Sequence, residues 1–229
     1  MPTEYRFDNA NASAQDLARH IAGTLSDAIV ARGVATIALS GGRSPRAVLE
    51  ALREMPVDWA RVIVAQVDER WVDPSHDDSN ERLIREALLT GPAAAARLVP
   101  MKNDAEDAYR GQAACEAAMA ALPWPIDIML LGMGEDGHTA SLFPEADELH
   151  DGLTTQALTL AVTPPAAPHQ RMSLSLRAIL NSRLIILQIG GAAKEAVYRD
   201  ALDGGPVEAM PIRAALLQDT VPVAVWISA

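Results

Sequence analysis

Apolar residues in this chain gather in two kinds of stretch that alternate along its length. Short, nearly continuous runs at 34–39, 61–67, 126–131 and 184–189 are rich in Val, Ile, Leu and Ala and bounded by glycine, proline or charge, as expected for strands covered on both faces. Further strands are predicted at 4–7, 157–162 and 221–227, and 169–175 alternates as a half-exposed strand would. Between them the period lengthens. Leu17, Ile21, Leu25 and Ile29 lie four residues apart, with Ser13 and Asp16 spaced as a capping box ahead of them and Gly33 as a stop. Ser44 and Pro45 suit the N-cap and first position of a helix over 46–52, and Leu83, Ile84, Ala87 and Leu88 mark the next. Helices are also predicted over 104–122, 192–202 and 212–217.

Strands alternating with helices throughout imply an α/β fold with a mainly parallel sheet and helices on both faces, where ligands bind at the strand C-termini. With 229 residues, 49% of them hydrophobic, and no linker-like stretch, residues 1–229 are expected to form a single domain. A net charge of −11 argues against nucleic acid as a partner, since phosphate neutralisation needs a basic face. A small anion remains compatible, but only through a local group of amides and cations, and the sole lysines are Lys102 and Lys194. The one cysteine, Cys115, sits in an Ala-rich helical stretch and reads as a small buried hydrophobe. The opening residues lack a signal-peptide profile and no apolar run suffices to span a membrane, so a cytoplasmic protein without membrane association is expected.

Chemistry-bearing residues cluster just after strands. Ser40-Gly41-Gly42-Arg43-Ser44-Pro45 could cradle a phosphate at a helix N-terminus or merely reverse the chain, and it lacks the Gly-Lys-Ser/Thr ending of a nucleotide-binding P-loop. Asp68, Glu69 and Arg70 follow the strand at 61–67 and by themselves read as a solvated turn, but their position at the same sheet edge as the other two loops makes them candidates for a site. Gly132 to Gly137 matches the dinucleotide pattern G-x-G-x-x-G, yet Pro144 arrives too soon for the long helix that such binding requires. These glycines instead shape a loop presenting Asp136 and His138. A neutral imidazole suits proton transfer near neutral pH, which makes His138 the candidate general base. His20, His76, His150 and His169 are read as structural. No ligand spacing supports a metal site, and no G-x-S-x-G elbow supports a serine triad.

Taken together, LSGGRSP (39–45), DERWVDPSHDDSN (68–80), LGMGEDGHTASLFP (131–144), RMSLS (171–175) and the GGAAKEAV stretch around Lys194 resemble the 6-phosphogluconolactonase family of the pentose phosphate pathway. The resemblance implies a modified Rossmann-like sheet and hydrolysis of 6-phospho-D-glucono-1,5-lactone without cofactor, metal or covalent intermediate. It implies that His138 activates water, with Asp136 orienting it and Arg70 or the amides of Gly132 to Gly134 stabilising the oxyanion. By the same resemblance Ser40, Gly41, Gly42, Arg171 and Lys194 hold the phosphate, and Asp68 and Asn80 lie near the sugar. Arg43 stands where many relatives carry Ser or Thr. Amino-sugar-phosphate deaminases share the serine-glycine-glycine loop but carry a glutamate, within a Phe-Asn-Glu-Pro sequence, where this chain has Ser141 to Pro144. A sugar-phosphate sensor would not need His138. The expected partner is a small anionic sugar-phosphate lactone, and the expected assembly a monomer or weak homodimer.

Overall fold

The predicted strands and helices recur in a computed structural model, which describes the backbone of all 229 residues and every side chain except those of Arg43 and Ser44. In chain order they are β1 (Thr3–Phe7), α1 (Ala10–Arg32), β2 (Ala35–Leu39), α2 (Arg43–Arg53), β3 (Val62–Gln66), β4 (Asp68–Arg70), α3 (Asn80–Ala87), β5 (Arg97–Val99) and α4 (Ala108–Ala120). There follow β6 (Ile128–Leu131), α5 (Leu149–Thr154), β7 (Thr159–Val162), β8 (Arg171–Leu174), α6 (Leu176–Leu180), β9 (Ile185–Gly190), α7 (Ala192–Leu202), α8 (Ile212–Leu216) and β10 (Val223–Ser228). Seven strands pair in parallel in the order β1-β10-β9-β6-β2-β3-β5, and β4-β8-β7 form a small antiparallel sheet.

The continuous apolar runs are explained by burial of both strand faces. Successive side chains point to opposite sides, so Ile128 and Leu130 of β6 join Leu17, Ile21, Leu25 and Leu49 in one core, while Met129 and Leu131 join Met119, Leu187 and Tyr198 in the other. Leu17, Ile21 and Leu25 are fully buried, and truncating any one to alanine would cost about 2–5 kcal/mol. Among the described residues no helix is long and apolar enough to cross a membrane.

Several local expectations are corrected. Helix α1 is capped by Asn9, whose side chain accepts from Ala12 N–H, rather than by a Ser13 capping box. Ser13 is buried, and Asp16 instead accepts from the Trp226 indole at 3.0 Å. Helix α2 begins at Arg43 after Gly42, whose φ of 98° an L side chain adopts only with strain, so the glycine takes the turn expected of Ser44. Strand β8 is buried along its whole length rather than half-exposed, because it is the centre of the small sheet and its Met172 and Leu174 belong to the same core as Met129 and Leu131. Short helices α5 and α6 carry too few apolar repeats to be read from period alone.

Candidate active site

Strand order fixes where the cleft opens. From β2 the chain steps outward to β3 and β5, then returns to place β6 on the other side of β2 and continues through β9 to β10. The β2–β6 boundary is therefore the topological switch point, where loops leaving adjacent strand C-termini diverge and leave a crevice. Those loops are the Ser40–Gly42 turn and the Gly132–His138 loop. They are tied together, since Ser40 N–H donates to Leu130 O at 3.0 Å and Ser40 Oγ accepts from Gly132 N–H at 3.2 Å. A cavity of about 200 Å³ opens between them. It is smaller than the roughly 300–1,000 Å³ of sites for drug-sized ligands, which suits one compact molecule and not a dinucleotide.

Of the residues singled out from sequence, Ser40, Gly41, Gly42, Asp68, Arg70, Asn80, Gly132, Gly134, His138 and Lys194 all line this cavity. Asp136 does not line it but contacts His138: its Oδ1 lies 2.6 Å from the imidazole Nδ1 and accepts from His138 N–H at 3.1 Å. Burial alone would raise the Asp136 carboxyl, but the hydrogen bond and charge of His138 outweigh it and hold the group below its usual range. An ionised Asp136 fixes the proton on Nδ1 and leaves the Nε2 lone pair free. Gly134 permits the arrangement, because a Cβ there would lie 2.2 Å from His138 Nδ1 and 2.4 Å from Asp136 Oδ1. The Phe143 ring, 4.4 Å away by centroids and tilted 39°, covers one side of the imidazole.

The opposite wall comes from β4 and α3. Asp68, Glu69 and Arg70 are not a solvated turn, since β4 pairs with β8 and Glu69 is completely buried. The Glu69 carboxylate accepts from Asn80 N–H at 2.8 Å, Glu81 N–H at 2.6 Å, Arg70 N–H at 2.7 Å and Gln66 Nε2 at 2.6 Å. It thereby satisfies the N-terminus of α3 and fixes Asn80 at the cavity. Burial pushes the Glu69 carboxyl above its usual range against these hydrogen bonds, which lower it. Asp68 accepts from Ser141 Oγ at 2.7 Å, and its backbone carbonyl accepts from Asn80 Nδ2 at 2.9 Å.

Three cations bear on the cleft. Lys194 stands in the first turn of α7 and has no carboxylate within ion-pairing distance among the described residues. Arg70 and Arg171 are direct cross-strand partners, and both keep a buried guanidinium nitrogen, Arg70 Nε and Arg171 Nη1, without a hydrogen-bond partner. Burial first, then the charge of Arg70, pushes the Arg171 guanidinium below its usual value against the nearby Asp68, Asp78 and Glu69 carboxylates. Arg171 does not itself line the cavity. The side chain of Arg43 lies outside the described residues, so its candidate contact with phosphate is not described.

Sequence reasoning missed the capping role of Glu69, the Ser141–Asp68 bond, and the lining residue Gln188. Gln188 had a signal, being the one polar side chain inside the apolar run 184–189; its buried Oε1 has no partner. The oxyanion candidates also narrow. Gly132 N–H is used by Ser40 Oγ and Gly134 N–H by His138 O at 2.9 Å, while the Met133 amide has no partner among the described residues.

The model of the family described as glucosamine-6-phosphate isomerases/6-phosphogluconolactonase matches residues 8–226. The chain belongs to this family. Within the isomerase/6-phosphogluconolactonase family, the 6-phosphogluconolactonase of Pseudomonas putida is 44% identical over 214 residues, spanning 93% of this chain and 88% of the relative. That of Rhizobium meliloti is 37% identical over 222 residues, 96% of each chain. The crystal structure of a 6-phosphogluconolactonase from Shewanella baltica superposes with a TM-score of 0.99 at 44% identity, covering 100% of this chain and 98% of that one. The family's mainly parallel α/β sheet is the architecture found here.

Proposed function

We propose that the chain hydrolyses 6-phospho-D-glucono-1,5-lactone to 6-phosphogluconate in the oxidative pentose phosphate pathway, with His138 as general base. The observation that carries this reading is the imidazole lining one cavity, its Nδ1 held 2.6 Å from Asp136, with Lys194 and Ser40, Gly41 and Gly42 lining the same cavity. Nε2 of His138 takes a proton from water as the oxygen attacks the lactone C1. Asp136 holds the imidazolium that forms. When the C1–ring oxygen bond breaks, Nε2 returns the proton to the departing oxygen, so no covalent intermediate or metal ion is required by the scheme. Arg70, with its unpartnered Nε, and the Met133 amide are the donors for the oxyanion, where one donor is typically worth about 10²–10³ in rate.

The 6-phosphate is held by Ser40, the amides of Gly41 and Gly42 at the start of α2, and Lys194, with Arg171 adding charge from behind Arg70. Asp68 and Asn80 face the sugar hydroxyls. An isomerising deaminase would need a further acid–base group beside His138, and the Phe143 ring that fills that place supplies none. The direct test is His138→Ala, assayed by pH-stat on freshly made lactone with correction for spontaneous opening. The rate should fall by about 10²–10⁴ while product binding persists. Unchanged turnover would remove His138 from its role, and ammonia release from glucosamine 6-phosphate would replace the lactonase reading.

A further inference from the structure

Two histidines distant in sequence from each other meet at the surface. His76, Asp78 and His169 each offer a ligand atom, and these atoms lie within 4.8 Å of one another. His169 Nε2 is 3.1 Å from Asp78 Oδ2, and His76 Nδ1 is 3.9 Å from the same oxygen. A tetrahedral ion with bonds of about 2.0–2.1 Å has ligand–ligand edges of roughly 3.3 Å, a value these two separations straddle. The remaining adjustment falls on side chains that are 47%, 50% and 30% exposed for His76, Asp78 and His169, so rotation meets little packing resistance.

We propose that His76, Asp78 and His169 form a binding site for a divalent transition-metal ion of the zinc, cobalt or nickel type, separate from the catalytic imidazole. Two imidazoles and a carboxylate suit such borderline ions better than calcium or magnesium, which favour oxygen alone. His76 Nδ1 accepts from Asp78 N–H at 3.1 Å, so its lone pair already points at this cluster, and coordination of an ion would take the place of that backbone hydrogen bond. His169 adopts a positive φ of 69°, unusual for a residue other than glycine, and in that conformation its ring faces Asp78 and packs 5.4 Å from His76. Three protein ligands leave further positions for water.

The test uses the purified full chain after chelator treatment, titrated calorimetrically with zinc and, in parallel, with cobalt(II) read by its visible absorption. One equivalent should bind saturably and give a spectrum of mixed nitrogen and oxygen ligation. His76→Asn and His169→Asn, on separate loops, should each weaken binding by an order of magnitude or more, and asparagine tolerates the positive φ at position 169. His138→Asn should leave binding intact. Unfolding temperatures measured without metal identify any variant that has lost its fold, and the other histidine variant then decides. Absence of saturable binding to the parent, undiminished binding in a folded His76 or His169 variant, or loss in His138→Asn would each overturn the proposal.

Discussion

Replacing Asp136 by asparagine tests whether this carboxylate orients the base or only neighbours it. Asp136 Oδ1 faces two donors of His138, Nδ1 at 2.6 Å and the backbone N–H at 3.1 Å. An asparagine that turned its amide nitrogen toward them would oppose both donors. Its oxygen therefore keeps that position, and the proton stays on Nδ1. The change then removes charge without reversing the tautomer. A hydrogen bond to a charged group contributes about 1.5–3 kcal/mol, and the low end applies because the Asp136 side chain is 51% exposed. At about 1.4 kcal/mol per factor of ten, kcat should fall roughly 10-fold, and at most about 100-fold, with KM little changed. A pH-stat assay on fresh lactone, with Asp136→Asn and His138→Ala measured side by side, reads this directly. A rate equal to the parent's would show that Asp136 does not orient the imidazole. A loss as deep as that of His138→Ala would refute the retained tautomer, since a reversed one costs on the order of 10⁴.

Three other perturbations probe the rest of the cleft. Lys194→Ala should raise KM by roughly tenfold or more, the value of one charge-assisted contact at about 1.5–3 kcal/mol, with kcat nearly unchanged; steady-state kinetics showing a pure kcat loss would contradict a phosphate role. Gly41→Ala places a Cβ 1.6 Å from Asn80 Oδ1 inside the packed wall, an overpacking worth about 1–3 kcal/mol and roughly 2–4 °C of Tm per kcal/mol; an unchanged calorimetric Tm would refute it. Glu69 binds its proton more tightly folded than unfolded, so its contribution is fully present below its ordinary pKa of 4.5 and declines as pH rises toward the raised folded value. Glu69→Gln lacks that titration. Its stability relative to the parent should therefore improve as pH rises from 4.5, measured by urea unfolding at several pH values; a constant difference would contradict the upward shift.

The sequence alone determined the alternation of strands and helices, because burial on both strand faces leaves continuous apolar runs and helix faces leave a four-residue period. It also determined the local chemistry of the Gly132–His138 loop, where Asp136 and His138 are near enough in the chain for their contact to depend only on a tight turn. It gave no means of seeing that Glu69 is buried, since a carboxylate that accepts from the Asn80 and Glu81 amides at a helix start eleven residues on, besides local donors, looks like any charged turn. The order of strands in the sheet was equally hidden. Only the tertiary structure decided that β6 returns beside β2, which brings Ser40 to Gly132, and that β8 pairs with β4, which sets Arg171 against Arg70 and carries His169 to Asp78. Such pairings join residues far apart in the chain, and they follow from how the two cores pack together rather than from any local preference.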